Sequence, residues 1–138
     1  MSLVGLVALV AALAAASLFW LLRNRGLGRL RDAESERLAP AQLGADRLGE
    51  RATLVQFSSA FCRPCVATRH LLTDVAAKVP GVSHVEVDAE SHLELVRALG
   101  IASTPTTLLL DRNGVVRRKA VGLPRRAEVM AALVDVVG

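Results

Sequence analysis

Two cysteines stand three positions apart in Cys62-Arg63-Pro64-Cys65, and they are the only cysteines in the chain. A pair at this spacing can close and reopen a short disulfide, hold a static one, or give two ligands to a soft metal ion. The surroundings favour the first. The run Thr53-Leu54-Val55-Gln56-Phe57 reads as a buried strand, and Ser58-Ser59-Ala60 as a small polar turn after it. Beyond Cys62, the apolar residues Val66, Leu71, Leu72, Val75, Ala76 and Val79 recur at helical spacing, so a helix is expected to start just after Cys62. A thiol at that point faces unpaired backbone N–H groups and the positive end of the helix dipole, and both favour thiolate. Arg63 adds a cation of the same sense, and Pro64, with fixed φ and no N–H, stiffens the turn. Zinc would need two further ligands, and His70, His84 and His92 form no paired motif.

The elements that must position this pair follow from periodicity. The helix after Cys62 is stopped by Pro80-Gly81. A strand is expected at 82–87, a helix at 91–99 ended by Gly100, and a strand at 106–110. Arg112-Asn113-Gly114 then turns into a strand at 115–121, and a last helix covers 125–137. The order β-α-β-α-β-β-α implies parallel strands joined by a crossover helix, then an antiparallel hairpin covered by a helix.

Ahead of this domain lies a different kind of segment. Residues 3–22 are twenty consecutive residues without a charge, enough for a helix of about 30 Å, the hydrocarbon thickness of a bilayer. Phe19 and Trp20 fall near its end, where aromatic rings prefer the interface. The competing reading is a cleaved signal peptide ending near Ala14-Ala15-Ala16. Against it, no Lys or Arg precedes the apolar run, and the run continues past that site through Leu22. Arg23, Arg25, Arg29 and Arg31 follow, so the positive-inside rule places the rest of the chain in the cytoplasm, with the protein a single-pass protein of the cell membrane. A static disulfide is disfavoured there. Residues 23–50 read as a juxtamembrane linker, with a short helix from Pro40 towards Leu48, and residues 51–138 as the folded domain.

Composition narrows the partners. The chain of 138 residues is 52% hydrophobic, too apolar for a disordered chain, and carries 17 basic against 13 acidic residues. Five of those arginines and three of those acids lie in residues 23–37, leaving 12 bases and 10 acids, a net +2, for residues 38–138. With no dense basic stripe, nucleic-acid binding gains no support.

The stretch from Leu54 to Gly138 resembles the thioredoxin superfamily. Phe61-Cys62-Arg63-Pro64-Cys65 stands where that family carries Trp-Cys-Gly-Pro-Cys, Thr104-Pro105 where it has a cis-proline loop, Val87-Asp88 at the end of its central strand, and Val121-Gly122 before its final helix. The resemblance implies an α/β thioredoxin-like fold, a central mixed sheet flanked by helices, here preceded by one transmembrane helix. It implies a dithiol that reduces or exchanges disulfides of proteins or peptides, with Cys62 as nucleophile and Cys65 as resolving thiol. It implies no cofactor beyond the Cys62–Cys65 disulfide, and as partner an external dithiol reductase or other electron donor. Pro105 is expected in cis beside the disulfide, with Thr104 and Phe61 facing the substrate. Two departures stand out: Gln56 occupies the position of the family's buried Asp, and His84 lies near its buried Lys, as a candidate replacement proton acceptor. A redox-inert module of the same fold and a thiol carrier of a metal ion stay open on the residues alone.

Overall fold

The apolar run before the cysteines forms strand β2 (Ala52–Ser58), buried along its whole length. The protein is represented by a computed structural model that describes residues 2–25, 30–32 and 36–138. A strand covered on both faces needs apolar side chains on both. Leu54 faces helix α2 (Arg63–Lys78) and helix α4 (Arg126–Val137), packing with Leu72, Val75, Leu109, Val129 and Leu133. Val55 and Phe57 belong to the other core cluster, with Leu38, Leu43, Val87, Leu108 and Leu110.

Strand β3 (Val82–Asp88) pairs parallel with β2, and β4 (Thr106–Asp111) pairs with it antiparallel on the other side. Strand β5 (Val116–Val121) returns antiparallel to β4. A two-residue strand, β1 (Arg31–Asp32), adds to the outer edge of β5, giving the order β1-β5-β4-β2-β3. The expected strand and helix order is therefore present. Val87-Asp88 ends an outer strand rather than a central one, because among the described residues no strand pairs with the far edge of β3.

Three expectations are corrected by the packing. First, the stretch read as linker belongs in part to the domain. The Leu38 N–H donates to the Gly114 carbonyl at 2.8 Å, the Val116 N–H donates to the Glu36 carbonyl at 2.8 Å, and Leu38 and Leu43 are 4% and 2% exposed. This approach needs Gly114, whose φ is 80° and where a Cβ would collide with the Leu38 carbonyl. Secondly, the helix from Pro40 towards Leu48 is only a 3-10 turn, Pro40–Leu43. Gly44 at φ 67° turns the chain out of it, and the Ala45 N–H closes back on the Pro40 carbonyl at 3.0 Å. Thirdly, the helix at 91–99 is shortened to α3 (Leu93–Ala98), behind a 3-10 turn at Ala89–Ser91. Asp88 winds that turn, its carboxylate accepting from the Glu90 N–H at 3.1 Å and the Ser91 hydroxyl at 2.9 Å.

The expected turn after β4 is built around Asp111. Its carboxylate accepts from the N–H groups of Asn113 and Val115 at 2.9 and 3.1 Å and pairs with the Arg117 guanidinium at 2.9 Å. Burial by itself would raise this carboxyl, but the two N–H groups and Arg117 outweigh it and hold it below the ordinary range.

Helix α1 (Leu3–Asn24) has the length and composition to cross a membrane. Ser2 caps it, its hydroxyl accepting from the Gly5 N–H at 3.3 Å. None of its residues is buried, Phe19 and Trp20 being 66% and 62% exposed.

Candidate active site

The chain leaves β2 at Ser58, turns through Phe61 and enters α2 with Cys62 as its N-cap. Cys62 and Cys65 are joined, with an S–S distance of 2.11 Å and a Cα–Cα distance of 5.2 Å. The Cys65 N–H points at Cys62 Sγ over 3.2 Å. That is the donor arrangement which, once the disulfide opens, stabilises a thiolate on Cys62. The two cysteines differ in access: Cys62 is half-buried, whereas Cys65 is 1% exposed. Pro64 occupies the first turn, and its carbonyl accepts from the Thr68 hydroxyl at 2.7 Å. Arg63 is exposed and forms no hydrogen bond with either sulfur, so any effect of its charge acts through space.

The Thr104–Pro105 peptide is cis, as expected, and Pro105 is buried. Its carbonyl accepts from the Gly122 N–H at 2.9 Å, which ties the start of β4 to the end of β5. The Thr104 hydroxyl shares a 2.7 Å hydrogen bond with Ser59 and lies 3.9 Å from Cys62 Sγ. Cys62, Thr104 and Pro105 are therefore brought together. Phe61 projects wholly into solvent at 106% exposure with φ 59°, a left-handed conformation costly for a bulky residue. Val66 and Leu123 are exposed apolar side chains of α2 and of the loop before α4.

Behind Cys65 the chain builds a polar network. Gln56 is fully buried, and its Nε2 donates to the Cys65 carbonyl at 2.8 Å and to the Ser58 hydroxyl at 2.9 Å. A carbonyl can only accept, so the amide NH2 must face Cys65 and Oε1 must face away. Oε1 lies 3.0 Å from His84 Nε2, which must therefore carry a proton. In the neutral ring the remaining lone pair is on Nδ1, 3.2 Å from the Thr73 hydroxyl. Burial pushes His84 below its ordinary pKa; Glu86 opposes the shift and Arg69 reinforces it. His84 thus meets Gln56 and not Cys65, and its basic nitrogen points away from the thiol. The route to a replacement proton acceptor expected from the sequence has no direct contact here. Ser58 extends the network to Glu86 at 3.4 Å, and Glu86 pairs with Arg69 at 2.7 Å.

Ser58, Ser59, Thr73 and Glu86 are parts of the site that residue order does not single out. Alternation along β2 is the one available signal, since it puts Ser58 two residues after Gln56 on the same face. Among the described residues, no cluster of three or more His, Cys, Asp or Glu side chains is placed to hold a metal ion.

Likenesses to known proteins agree with this geometry. A family model described as thioredoxin matches residues 45–135. The thioredoxin of Mycoplasma genitalium is 26% identical over 81 residues, covering 59% of this chain and 78% of that protein. The thioredoxin of Chlamydia muridarum is 30% identical over 79 residues, covering 57% and 76%. Among solved structures, the reduced thioredoxin of Schistosoma mansoni superposes with a TM-score of 0.56 at 22% identity. That superposition covers 64% of this chain and 82% of the other, and at this identity it speaks for the fold.

Proposed function

The chain belongs to the thioredoxin family, and from that premise we propose that it is a membrane-anchored oxidoreductase that reduces or exchanges protein disulfides through Cys62 and Cys65. One observation carries the reading: at the N-terminus of α2 the sulfur of the half-buried Cys62 meets an N–H donor, while its partner Cys65 is 1% exposed. Only Cys62 is open to a bulky disulfide. As thiolate it attacks one substrate sulfur; the substrate S–S bond breaks, a Cys62–substrate disulfide forms, and the departing sulfur leaves with the electron pair and takes a proton. Cys65 then loses its proton and attacks Cys62 Sγ. The mixed disulfide breaks, the second substrate sulfur leaves as thiolate, and the Cys62–Cys65 bond forms. Two electrons have passed to the substrate, and an external dithiol must return the pair to its reduced form.

The test is catalytic reduction of a disulfide peptide by the purified chain, with a dithiol reductase system restoring it. Turnover that depends on both cysteines is expected. No turnover, with tight Cu(I) or Zn(II) binding instead, would favour the metal-carrier reading; neither would favour a redox-inert module.

Phe61 and Thr104 are read as the substrate-facing residues. An aromatic ring that buries nothing and sits at positive φ does not serve the fold. Phe61→Gly is therefore expected to keep or slightly raise thermal stability, by at most about 1 kcal/mol, while kcat/KM falls for substrates with apolar residues beside the disulfide. A loss of stability with unchanged kcat/KM would contradict that role.

Anchoring rests on the unburied apolar surface of α1 and the arginines Arg23 and Arg25 at its end, which also favour a cytoplasmic domain. Membrane-impermeant thiol reagents applied to intact cells should leave Cys62 unlabelled until lysis. Rapid labelling without lysis would place the domain outside.

A further inference from the structure

Strand β4 begins with two threonines followed by leucines, and the second threonine sits where an apolar side chain would fit. Thr107 is fully buried, and its hydroxyl is the one buried side-chain polar atom among the described residues with no hydrogen-bond partner. An idle buried hydroxyl is a penalty that valine, filling the same space, would not incur. Its position gives the hydroxyl a use. Thr107 is the direct antiparallel partner of Gln56. Directly opposed residues share a face of the sheet, with Cβ atoms about 4.5–5.5 Å apart. That face carries α2 over β2 and α4 over β4, and Gln56 is the residue whose amide holds the Cys65 carbonyl at 2.8 Å. The Gln56 amide nitrogen and oxygen are both engaged, by Cys65, Ser58 and His84. The Thr107 hydroxyl is therefore an unspent donor beside the residue that holds the Cys65 carbonyl.

We propose that the Thr107 hydroxyl stabilises the Cys65 thiolate during the resolving step, by donating to its sulfur directly or across one water molecule. This rests on the exchange reading above. In the disulfide the Cys65 sulfur is a poor acceptor, and the hydroxyl has nothing to do. When the bond to Cys62 is open and a substrate sulfur occupies Cys62, Cys65 must shed its proton to solvent in a pocket that contains Gln56 in place of a carboxylate. The charge that develops on Cys65 Sγ then meets this unspent donor. The thiolate attacks Cys62 Sγ, the substrate thiolate leaves with the electron pair, and the hydroxyl returns to its idle state.

The experiment is stopped-flow reaction of the reduced full chain with an aromatic disulfide reagent that releases one coloured thiol on Cys62 attack and a second on resolution. Thr107→Val should leave the first phase unchanged, slow the second about tenfold at neutral pH, and move its pH midpoint up by about one unit. Thr107→Ser, which keeps the hydroxyl, should restore both. A second phase of unchanged rate and midpoint in Thr107→Val, in a protein that melts higher than wild type, would overturn the inference and leave Thr107 as an unsatisfied hydroxyl. Absence of any coloured thiol from the wild-type protein would instead overturn the exchange reading, and this inference with it.

Discussion

Replacing Cys65 with serine should stop the reaction halfway. The Cys62 sulfur remains reachable at the start of α2, so a substrate disulfide is still attacked, but no second sulfur is left to release the adduct. The expected result is a covalent protein–substrate species linked through Cys62 that persists until an external thiol is added, with turnover reduced to about one thousandth of wild type or less. Cys62→Ser should give no adduct at all, because Cys65, in the first turn of the helix, is 1% exposed. Mass spectrometry of the trapped species decides the matter. An adduct on Cys65 in the Cys62→Ser protein would reverse the roles of the two thiols.

The second large effect is expected at Gln56. Asp at this position should speed resolution of the mixed disulfide at neutral pH by about tenfold to a hundredfold, while Cys62 attack changes little. The physical reason is that a buried carboxylate can take the Cys65 proton, whereas an amide whose oxygen already accepts from His84 cannot. The fold should lose about 2–4 kcal/mol, since the shorter side chain gives up the donor to the Cys65 carbonyl and desolvates a charge. Desolvation also raises the carboxyl pKa above its unfolded value. The cost of the charge is therefore absent in acid and grows as pH rises through that interval, so the melting-temperature gap to wild type should narrow in acid. If Gln56→Asp leaves resolution unchanged while His84→Ala slows it strongly, the proton travels through the imidazole, and the tautomer deduced from the Gln56 contacts does not operate in the reduced protein.

The parts of this site that are legible from residue order are the local ones. A strand that ends in small residues and a cysteine before a helical repeat each leave a mark within a few positions, and β2 and α2 follow them, whereas the cis bond at Pro105 is expected only through the family resemblance, since a Thr-Pro ahead of an apolar strand is ordinarily trans. The polar network behind Cys65 is less visible, because it is set by register. His84, Glu86 and Thr107 come alongside Gln56 only once β2 is paired parallel to β3 and antiparallel to β4. Gln56 and His84 can be singled out as departures from a family pattern, but their contact, and the direction of the ring's free nitrogen, cannot. The segment at 36–50 hides its part in the domain for a related reason. Leu38 and Leu43 are single apolar residues in a charged, glycine-containing stretch, too few to show a period, and they are recruited by a hairpin more than seventy residues away in the chain. Helix α3 loses its first two expected residues to a side chain, since Asp88 captures the backbone and hydroxyl groups that follow it.

The proposed exchange requires Cys62 to be a thiolate nucleophile prepared by the start of α2. Its most direct test is the rate of alkylation of each cysteine in the fully reduced protein as a function of pH, with the modified residue identified by mass spectrometry. Cys62 is expected to react first and to titrate below the ~8.5 of a free thiol, Arg63→Gly to raise its midpoint modestly, and Cys65 to titrate higher and react slowly throughout. A Cys62 midpoint at or above that of a free thiol, or preferential alkylation of Cys65, would contradict that requirement.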